Sequence, residues 1–307
     1  MSTAVAFIGF GEAGQAFARP DARAFDCKTD DPAERQAKLG DYEAAQVLGY
    51  ESAGEALADA DAVFSLVTAD QAVPAAQACA TLLHARALWL DMNSVAPGTK
   101  RAAAAAIEAA GGRYVDVAVM APVRPAKLNV PLLVAGPHAD EAAAMLRDYG
   151  FAGVEVAGPN VGDASAIKMI RSVMVKGIEA LTAECVIAAE RAGVREAVLA
   201  SLDASWKEQR WAERADYNLD RMLAHGVRRA AEMEEVARTL DELGVEPAMT
   251  RGTIARQRAI GALGVAPPDG LDAKLSAIEG SSLAAPPHRN PSPKRERLVN
   301  GREDKAA

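Results

Sequence analysis

Three cations interrupt an apolar stretch whose periodicity predicts a helix. In IKMIRSVMVKGIEAL, Lys168, Arg171 and Lys176 stand among Ile, Met, Val and Leu at helical spacing. Removing an ammonium group from water is costly unless something compensates for it, and both desolvation and a neighbouring positive charge lower its pKa. Such a lysine either extends its amine to solvent along the helix surface or exchanges protons with a substrate near neutral pH.

A glycine-rich loop supplies a second chemical signal. The sequence GFGEAG follows the apolar segment VAFI and opens a predicted helix. Glycines at this spacing permit a tight turn, close approach of the backbone to a pyrophosphate and close packing of helix on strand, while the helix N-terminus faces the phosphates. We therefore predict a dinucleotide site whose contacts are Gly9, Phe10, Gly11, Glu12, Ala13 and Gly14.

The acid at the end of the next predicted strand bears on the choice of cofactor. Asp26, in RAFDCKTDD, can accept hydrogen bonds from both ribose hydroxyls and would repel a 2′-phosphate, so the sequence predicts NAD. Arg23 and Lys28 lie close by, and a cation there favours the additional phosphate of NADP, which stays the alternative. A purely structural interpretation is that Asp26 ends the strand or caps the next segment.

Composition narrows the class of protein. The 307 residues are 50% apolar and 25% charged, which is enough for two hydrophobic cores. A formal net charge of -8 argues against a nucleic-acid or anionic-membrane partner, so we expect a small-molecule substrate.

Cys27, Cys79 and Cys185 have neither disulfide-framework nor metal-ligand spacing, and no stretch approaches the roughly 20 apolar residues of a membrane span. We predict a cytoplasmic protein without a metal site.

The order of predicted elements indicates the fold. Segments with strand character alternate with Ala-rich helical segments through residues 1–160, which predicts a Rossmann-type, doubly wound parallel sheet and a dinucleotide-binding domain. The strand segments are VAFIG, ARAFD, AVFSLV, ALWLDM, RYVDVAV, PLLVAG and GVEVAGP. The fold class is therefore α/β, followed by an all-α C-terminal domain.

Beyond the last strand segment the pattern is helical. Residues 161–280 are predicted to form an all-helical substrate and dimerisation domain, with breaks near Gly193, Tyr217, Gly244 and the Pro267-Pro268 pair. Its apolar surface exceeds what one small bundle can bury, so we expect a homodimer. Residues 281–307 are rich in Pro, Ser and charge, and are predicted to be a disordered tail.

Four motifs in order carry a family resemblance over about residues 4–260. GFGEAG, LWLDMNSVAPGTK, RYVDVAVMAPVRP and GPNVGDASAIKMIRS resemble the conserved segments of the β-hydroxyacid dehydrogenase superfamily, which includes 3-hydroxyisobutyrate and 6-phosphogluconate dehydrogenases and has the imine reductases as relatives. DVAVMAPV, KMIRSVMVKGIEAL and HGVRRAAEMEEV further resemble a subgroup with a phosphogluconate-dehydrogenase-like NAD-binding C-terminal domain.

The resemblance assigns expected roles. Lys168 falls on the general acid/base lysine, whose pKa Arg171 and the oxidised nicotinamide would lower. Asn93 and Ser94 fall beside the nicotinamide. Val67, the last residue of the segment AVFSLV, and Thr68, which follows it, complete the expected cofactor contacts. The expected substrate residues are Met120, Ala121, Pro122, Arg171, Ser172, His225 and Arg228. Lys176 either binds a distal anionic group or reaches the dimer surface.

The chain also departs from the family pattern. Met120, Ala121 and Pro122 replace the S-G-G that holds a carboxylate on backbone amides, and proline has no amide hydrogen. Arg171 offers a bidentate replacement for that clamp. Ser172 replaces an Asn, and the lysine of the family's later K-D pair is absent. His225 and Arg228 also fit an exposed, salt-bridged helix.

These observations lead to one hypothesis and two rivals. The sequence favours an NAD(P)-dependent dehydrogenase that moves a hydride between nicotinamide and a small hydroxy acid, with Lys168 as general acid/base. Because Met120, Ala121 and Pro122 replace the family's S-G-G, a reductase of an imine or an unusual carbonyl compound stays an alternative. The other alternative is a non-catalytic dinucleotide-binding protein, which has no physical need for a buried Lys168.

Overall fold

The computed structural model describes residues 3–205 and 208–281. The chain divides into two compact units, Met1–Gly177 and Ile178–Ala307. The predicted tail lies, from residue 282 onward, outside the described residues. In the part of the chain that the structure describes, no helix is sufficiently long and apolar to cross a bilayer.

The first unit is built on one eight-stranded sheet. Its strands are β1 (Val5–Ile8), β2 (Arg23–Phe25), β3 (Leu48–Gly49), β4 (Ala62–Ser65), β5 (Leu88–Asp91), β6 (Arg113–Val119), β7 (Pro131–Ala135) and β8 (Gly153–Gly158). Their order is β3-β2-β1-β4-β5-β6-β7-β8, and the first six strands have the order of a Rossmann sheet. The predicted fold class, a Rossmann-type sheet followed by helices, is confirmed.

Two features of the sheet were not predicted. The two-residue strand β3 is too short to leave a pattern in the sequence. Strand β7 pairs antiparallel with β6, because the intervening residues form only a short helix, α6 (Val123–Ala126), and a parallel return requires a longer crossover. The sheet is therefore mostly, not wholly, parallel.

Helices cover both faces of the sheet. They are α1 (Glu12–Phe17), α2 (Arg35–Ala45), α3 (Ala53–Leu57), α4 (Ala72–Ala80), α5 (Pro97–Ala109) and α7 (Ala139–Tyr149). Because successive strand residues point to opposite faces, Phe7 belongs to one core cluster and Ile8 to another. Buried Phe64 and Trp89 likewise lie in the first and second clusters. The strands are apolar on both faces, as a covered parallel sheet requires.

The second unit is helical. Helix α8 (Asp163–Arg191) begins in the first unit and ends in the second, which also contains α9 (Arg195–Ser205), α10 (Trp211–Glu242), α11 (Ala248–Gly261) and α12 (Leu271–Gly280). The break expected near Tyr217 is wrong. Helix α10 runs through that position because neither Gly nor Pro interrupts residues 211–225.

Helices α10 and α11 approach closely where two glycines meet. A Cβ added at Gly226 would lie 2.9 Å from the Gly261 Cα and would also overlap the carbonyl oxygen of Gln257. Only a residue without a side chain permits this approach of two backbones. The pair therefore fixes the contact between the two helices.

Candidate active site

The glycine loop has the geometry of a phosphate-binding turn. Gly9 has a φ of +86°, and a Cβ there would lie 2.5 Å from the carbonyl oxygen of Leu66, at the end of β4. At Gly11, by contrast, no described atom lies within 4 Å of the position a Cβ would occupy. Gly11 is the N-cap of α1, and its helix end has no side-chain cap among the described residues, so first-turn N–H groups remain to be satisfied by a ligand. The loop fits a dinucleotide pyrophosphate.

The Asp26 carboxylate holds the glycine loop through the backbone of Phe10. This carboxylate, 8% exposed, accepts the Phe10 N–H at 2.7 Å and the Lys28 N–H at 3.0 Å. The Phe10 ring is fully buried in the core, so this residue supports the loop and offers no side chain to a cofactor. Glu12 and Gly11 are exposed, while Ala13 is partly buried and Gly14 is buried.

Lys38 on α2 is a functional candidate that the sequence analysis missed. Its buried ammonium donates to the Phe10 carbonyl oxygen at 2.8 Å and to the Asp41 carboxylate at 2.6 Å. Together with Asp26, it fixes both polar backbone groups of Phe10. A lysine in a helix with many polar residues gives no sign of this contact, which spans 28 positions in sequence.

The two cations near Asp26 are engaged elsewhere. Arg23 donates to the carbonyl oxygens of Glu55 and Ala56 at 2.5 and 2.8 Å, and its guanidinium lies 4.5 Å from the ring centroid of Tyr50. Lys28 forms an ion pair with Glu34 at 2.6 Å. Both contacts hold these charges on protein groups.

Residues at the ends of β4 and β5 form the next part of the site. Asn93 donates from its backbone to Asp91 at 2.9 Å and from its side chain to the Ser65 hydroxyl at 3.0 Å. Its buried Oδ1 has no hydrogen-bond partner among the described residues, and so can accept a hydrogen bond from a ligand N–H or O–H. Val67 is partly buried and Thr68 is exposed, directly after β4. This arrangement fits the nicotinamide end of a cofactor.

Lys168 lies beside that loop. Its amine donates to the Ser94 hydroxyl at 2.6 Å. Burial, and after it the positive charges of Lys100 and Lys176, lower the pKa of Lys168 to about 8. Arg171 was expected to supply the like charge. The charges that lower the pKa of Lys168 are instead those of Lys100 and Lys176.

A fully buried ionic cluster lies under the Ser94 loop. The Lys100 ammonium donates to the backbone oxygen of Asp91 at 2.5 Å and to its carboxylate at 2.9 Å, and lies 3.4 Å from the Asp116 carboxylate. The Tyr114 hydroxyl donates to Asp91 at 2.7 Å. The sequence contained a signal for this cluster: Asp91 and Asp116 interrupt apolar strand segments, and buried carboxylates require partners.

The segment Met120–Pro122, which replaces the family's carboxylate-binding loop, offers few backbone donors. The Met120 N–H donates to the Pro131 carbonyl oxygen at 2.9 Å as part of the sheet, and Pro122 has no N–H. Of the three residues that replace the family's clamp, only Ala121 has an amide that remains for a carboxylate. The Ser172 hydroxyl donates to the Lys168 carbonyl oxygen at 2.8 Å, so it can serve a substrate only as an acceptor.

His225 and Arg228 lie in the second unit. Both are on α10, with His225 partly buried and Arg228 exposed. Their assignment to the substrate remains a prediction. Within residues 3–205 and 208–281, no three His, Cys, Asp or Glu side chains are grouped to hold a metal ion.

Comparisons with known proteins agree with this geometry. Residues 4–158 match the family described as the NAD-binding domain of 6-phosphogluconate dehydrogenase, and residues 189–260 match a domain of unknown function, DUF1932. A conserved hypothetical protein from Sinorhizobium meliloti is 39% identical over 91% of this chain and 96% of its own, with a TM-score of 0.57.

Two further solved structures are similar. One is a conserved protein of unknown function whose structure resembles 3-hydroxyacid dehydrogenases; it is 31% identical over 89% of this chain and 98% of its own, with a TM-score of 0.54. The other is the Streptomyces aurantiacus imine reductase, 20% identical over 90% of this chain and 99% of its own, with a TM-score of 0.64. The last likeness concerns the fold alone.

The glycine loop and the sheet define a class, that of proteins with a dehydrogenase fold that bind a nicotinamide dinucleotide. Within that class, the chain belongs to the β-hydroxyacid dehydrogenase superfamily, as the order of its motifs predicted. Its second domain belongs to the DUF1932 group.

Proposed function

We propose that this protein is an NAD(P)-dependent oxidoreductase that transfers a hydride between nicotinamide and a carbon of a small hydroxy acid, with Lys168 as general acid/base. The observation that carries the proposal is the Lys168 amine, with its pKa lowered to about 8 and its hydrogen bond to Ser94. Such an amine exchanges a proton readily at neutral to mildly alkaline pH.

The chain's own groups account for the proton in both directions. In oxidation, neutral Lys168 accepts the proton of the substrate hydroxyl. At the same time the hydride leaves the carbon that bears this hydroxyl, and the C=O bond forms. In reduction, the protonated amine returns that proton to the carbonyl oxygen. When bound, the nicotinamide supplies the hydride acceptor or donor. Arg171 and the Ala121 amide are the proposed partners of a substrate carboxylate.

For the cofactor, we propose a preference for NAD. The proposal is supported by the Asp26 carboxylate directly after β2, which would repel a 2′-phosphate bound beside it, and by the contacts of Arg23 and Lys28 with protein groups. We expect kcat/KM to be higher with NAD than with NADP, and Asp26→Asn to reduce the difference. A clear NADP preference in the unaltered protein would contradict the proposal.

The rival function is reduction of an imine or an unusual carbonyl compound. One observation favours it: the loop that should bind a carboxylate has lost two of three backbone donors, because the Met120 N–H is used in the sheet and Pro122 has none. A substrate without a carboxylate would not require them. The choice between these substrates depends on measured turnover.

The test is a panel of hydroxy acids, carbonyl compounds and imines assayed with both cofactors. Lys168→Ala should lose roughly 10²–10⁴ in kcat on the accepted substrate while retaining cofactor binding. Lys168→Arg should fail similarly, because a guanidinium keeps its proton. Near-normal turnover by Lys168→Arg would refute proton transfer by this residue. Cofactor binding without turnover of any compound in the panel would instead favour a non-catalytic dinucleotide-binding protein.

A further inference from the structure

Lys100 is a buried cation to which the proposed reaction gives no direct role. The side chains of Lys100, Asp91 and Asp116 are all 0% exposed. Burying an ammonium group is unfavourable unless charges and hydrogen bonds compensate. Here the compensation comes from two carboxylates and from the backbone oxygens of Asp91 and Val117.

Each carboxylate is tied to a different part of the site. Asp91 accepts the backbone N–H of Asn93 at 2.9 Å, and Ser94 follows directly. Asp116 accepts the N–H groups of Gly162 and Ser165 at 3.1 and 3.0 Å, at the beginning of the helix that carries Lys168. Lys100 therefore contacts both Asp91, which holds the loop before Ser94, and Asp116, which holds the start of the helix that carries Lys168.

We propose that Lys100 is a positioning residue for the Lys168 amine. Through Asp91 it fixes the loop that presents Ser94, and through Asp116 it fixes the first turn of α8, so that Lys168 and Ser94 stay within hydrogen-bonding distance. This role rests on the proposed function, in which Lys168 moves the proton. Lys100 itself touches neither reacting atom.

The charge of Lys100 also acts on the Lys168 amine directly, by lowering its pKa. Burial is the largest cause that lowers the pKa of Lys168, and the charges of Lys100 on α5 and Lys176 on α8 follow. Asp91 and Asp116 face Lys100 on the sheet side, and exposed Arg171 lies on the same helix as Lys168. Loss of the Lys100 charge should therefore raise the pKa of the Lys168 amine.

The experiment is a titration of the Lys168 amine in the cofactor-loaded, full-length protein. Lysines are reductively methylated with ¹³C-formaldehyde and followed by NMR against pH, and the Lys168 signal is assigned by its loss in Lys168→Ala. In Lys100→Met the midpoint should rise by roughly half a pH unit or more. The pH midpoint of turnover should rise with it, and kcat should fall roughly tenfold to a hundredfold.

Lys274→Met is the matched control. Lys274 is also a buried lysine, and it pairs with Asp216 at 2.7 Å and Asp220 at 3.5 Å in the second unit. Removing it should leave the Lys168 midpoint unchanged. The same rise in both variants, or an unchanged midpoint in folded Lys100→Met, would overturn the proposal.

A second variant covers the outcome in which Lys100→Met does not fold. Lys100→Gln removes the charge but keeps an N–H donor for the buried oxygens around Lys100, which leaves fewer of them without a hydrogen-bond partner. The Lys168 midpoint should again rise, and an unchanged midpoint would again refute the role of Lys100. Because the titration needs no substrate, a shifted midpoint in a protein that turns over nothing would support Lys100 and refute the hydroxy-acid function.

Discussion

The ionisation of Lys168 makes a direct prediction about pH. With its pKa lowered to about 8, the amine is mostly protonated below that pH and mostly neutral above it. Oxidation requires the neutral form, so its rate should rise with pH up to about 8 and then level off. Reduction requires the protonated form, so its rate should fall above the same pH. Measuring kcat in both directions against pH checks this, and matching profiles in the two directions would contradict it.

Lys38 should matter for the cofactor and not for the chemical step. Lys38→Met would leave the Phe10 carbonyl oxygen without its buried donor, a loss on the order of 1–3 kcal/mol, and would loosen the glycine loop. We expect a weaker affinity for NAD, measured by fluorescence titration, with the rate of a saturated single turnover nearly unchanged. Lys274→Met is again the control and should leave affinity unaltered. Equal affinity in Lys38→Met and the unaltered protein would refute this role.

The residues that could be predicted differ physically from those that could not. Asp26 was predictable because a local motif, strand then glycine loop then strand, fixes its place. Lys38 contacts Phe10 across 28 positions of sequence. Lys100 contacts Asp91 nine positions before it and Asp116 sixteen positions after it, on two neighbouring strands. A lysine within a helix usually faces solvent, so these contacts depend on tertiary packing that the pattern alone does not specify.

Among the elements, the crossing of α10 and α11 depends on Gly226. Gly226→Ala should destabilise the protein by about 1–3 kcal/mol, because the added methyl group meets the backbone of α11. Gly252→Ala is the matched control, since no described atom lies within 4 Å of its Cβ position; it should stabilise α11 by up to about 1 kcal/mol. Chemical unfolding of both variants checks the pair. Equal stability of the two would show that the helices do not cross as described.

Elements were predictable where the period of apolar residues was unambiguous. The buried strands β1, β4, β5 and β6 are short, mostly apolar runs, and all were expected. The direction of β7 was not, because it depends on the length of a connection and not on the strand's own residues. The helix break predicted near Tyr217 was wrong because the periodicity of apolar residues is weak there, and tyrosine does not itself end a helix.

At the level of the whole molecule, exposed apolar side chains favour the homodimer that the sequence predicts. Along α8, Ile170 and Val173 are each 71% exposed. In the second unit, Leu202 is 45% exposed and Trp211 is 58% exposed. Apolar groups in this number rarely face water in a monomer, and a second copy of the chain would cover the same surface on both partners.

The dimer can be tested with a charged pair on α8. Val173→Glu combined with Leu181→Glu places two carboxylates eight positions apart, on nearly the same helix face, and desolvating them at an interface is costly. We expect sedimentation velocity at micromolar concentration to give a dimer for the unaltered protein and a monomer for this variant. Leu82→Glu, at an exposed apolar position of the first unit, is the control and should remain dimeric. A monomer before any substitution would refute the prediction, and a dimer that survives the double substitution would place the interface away from this face of α8.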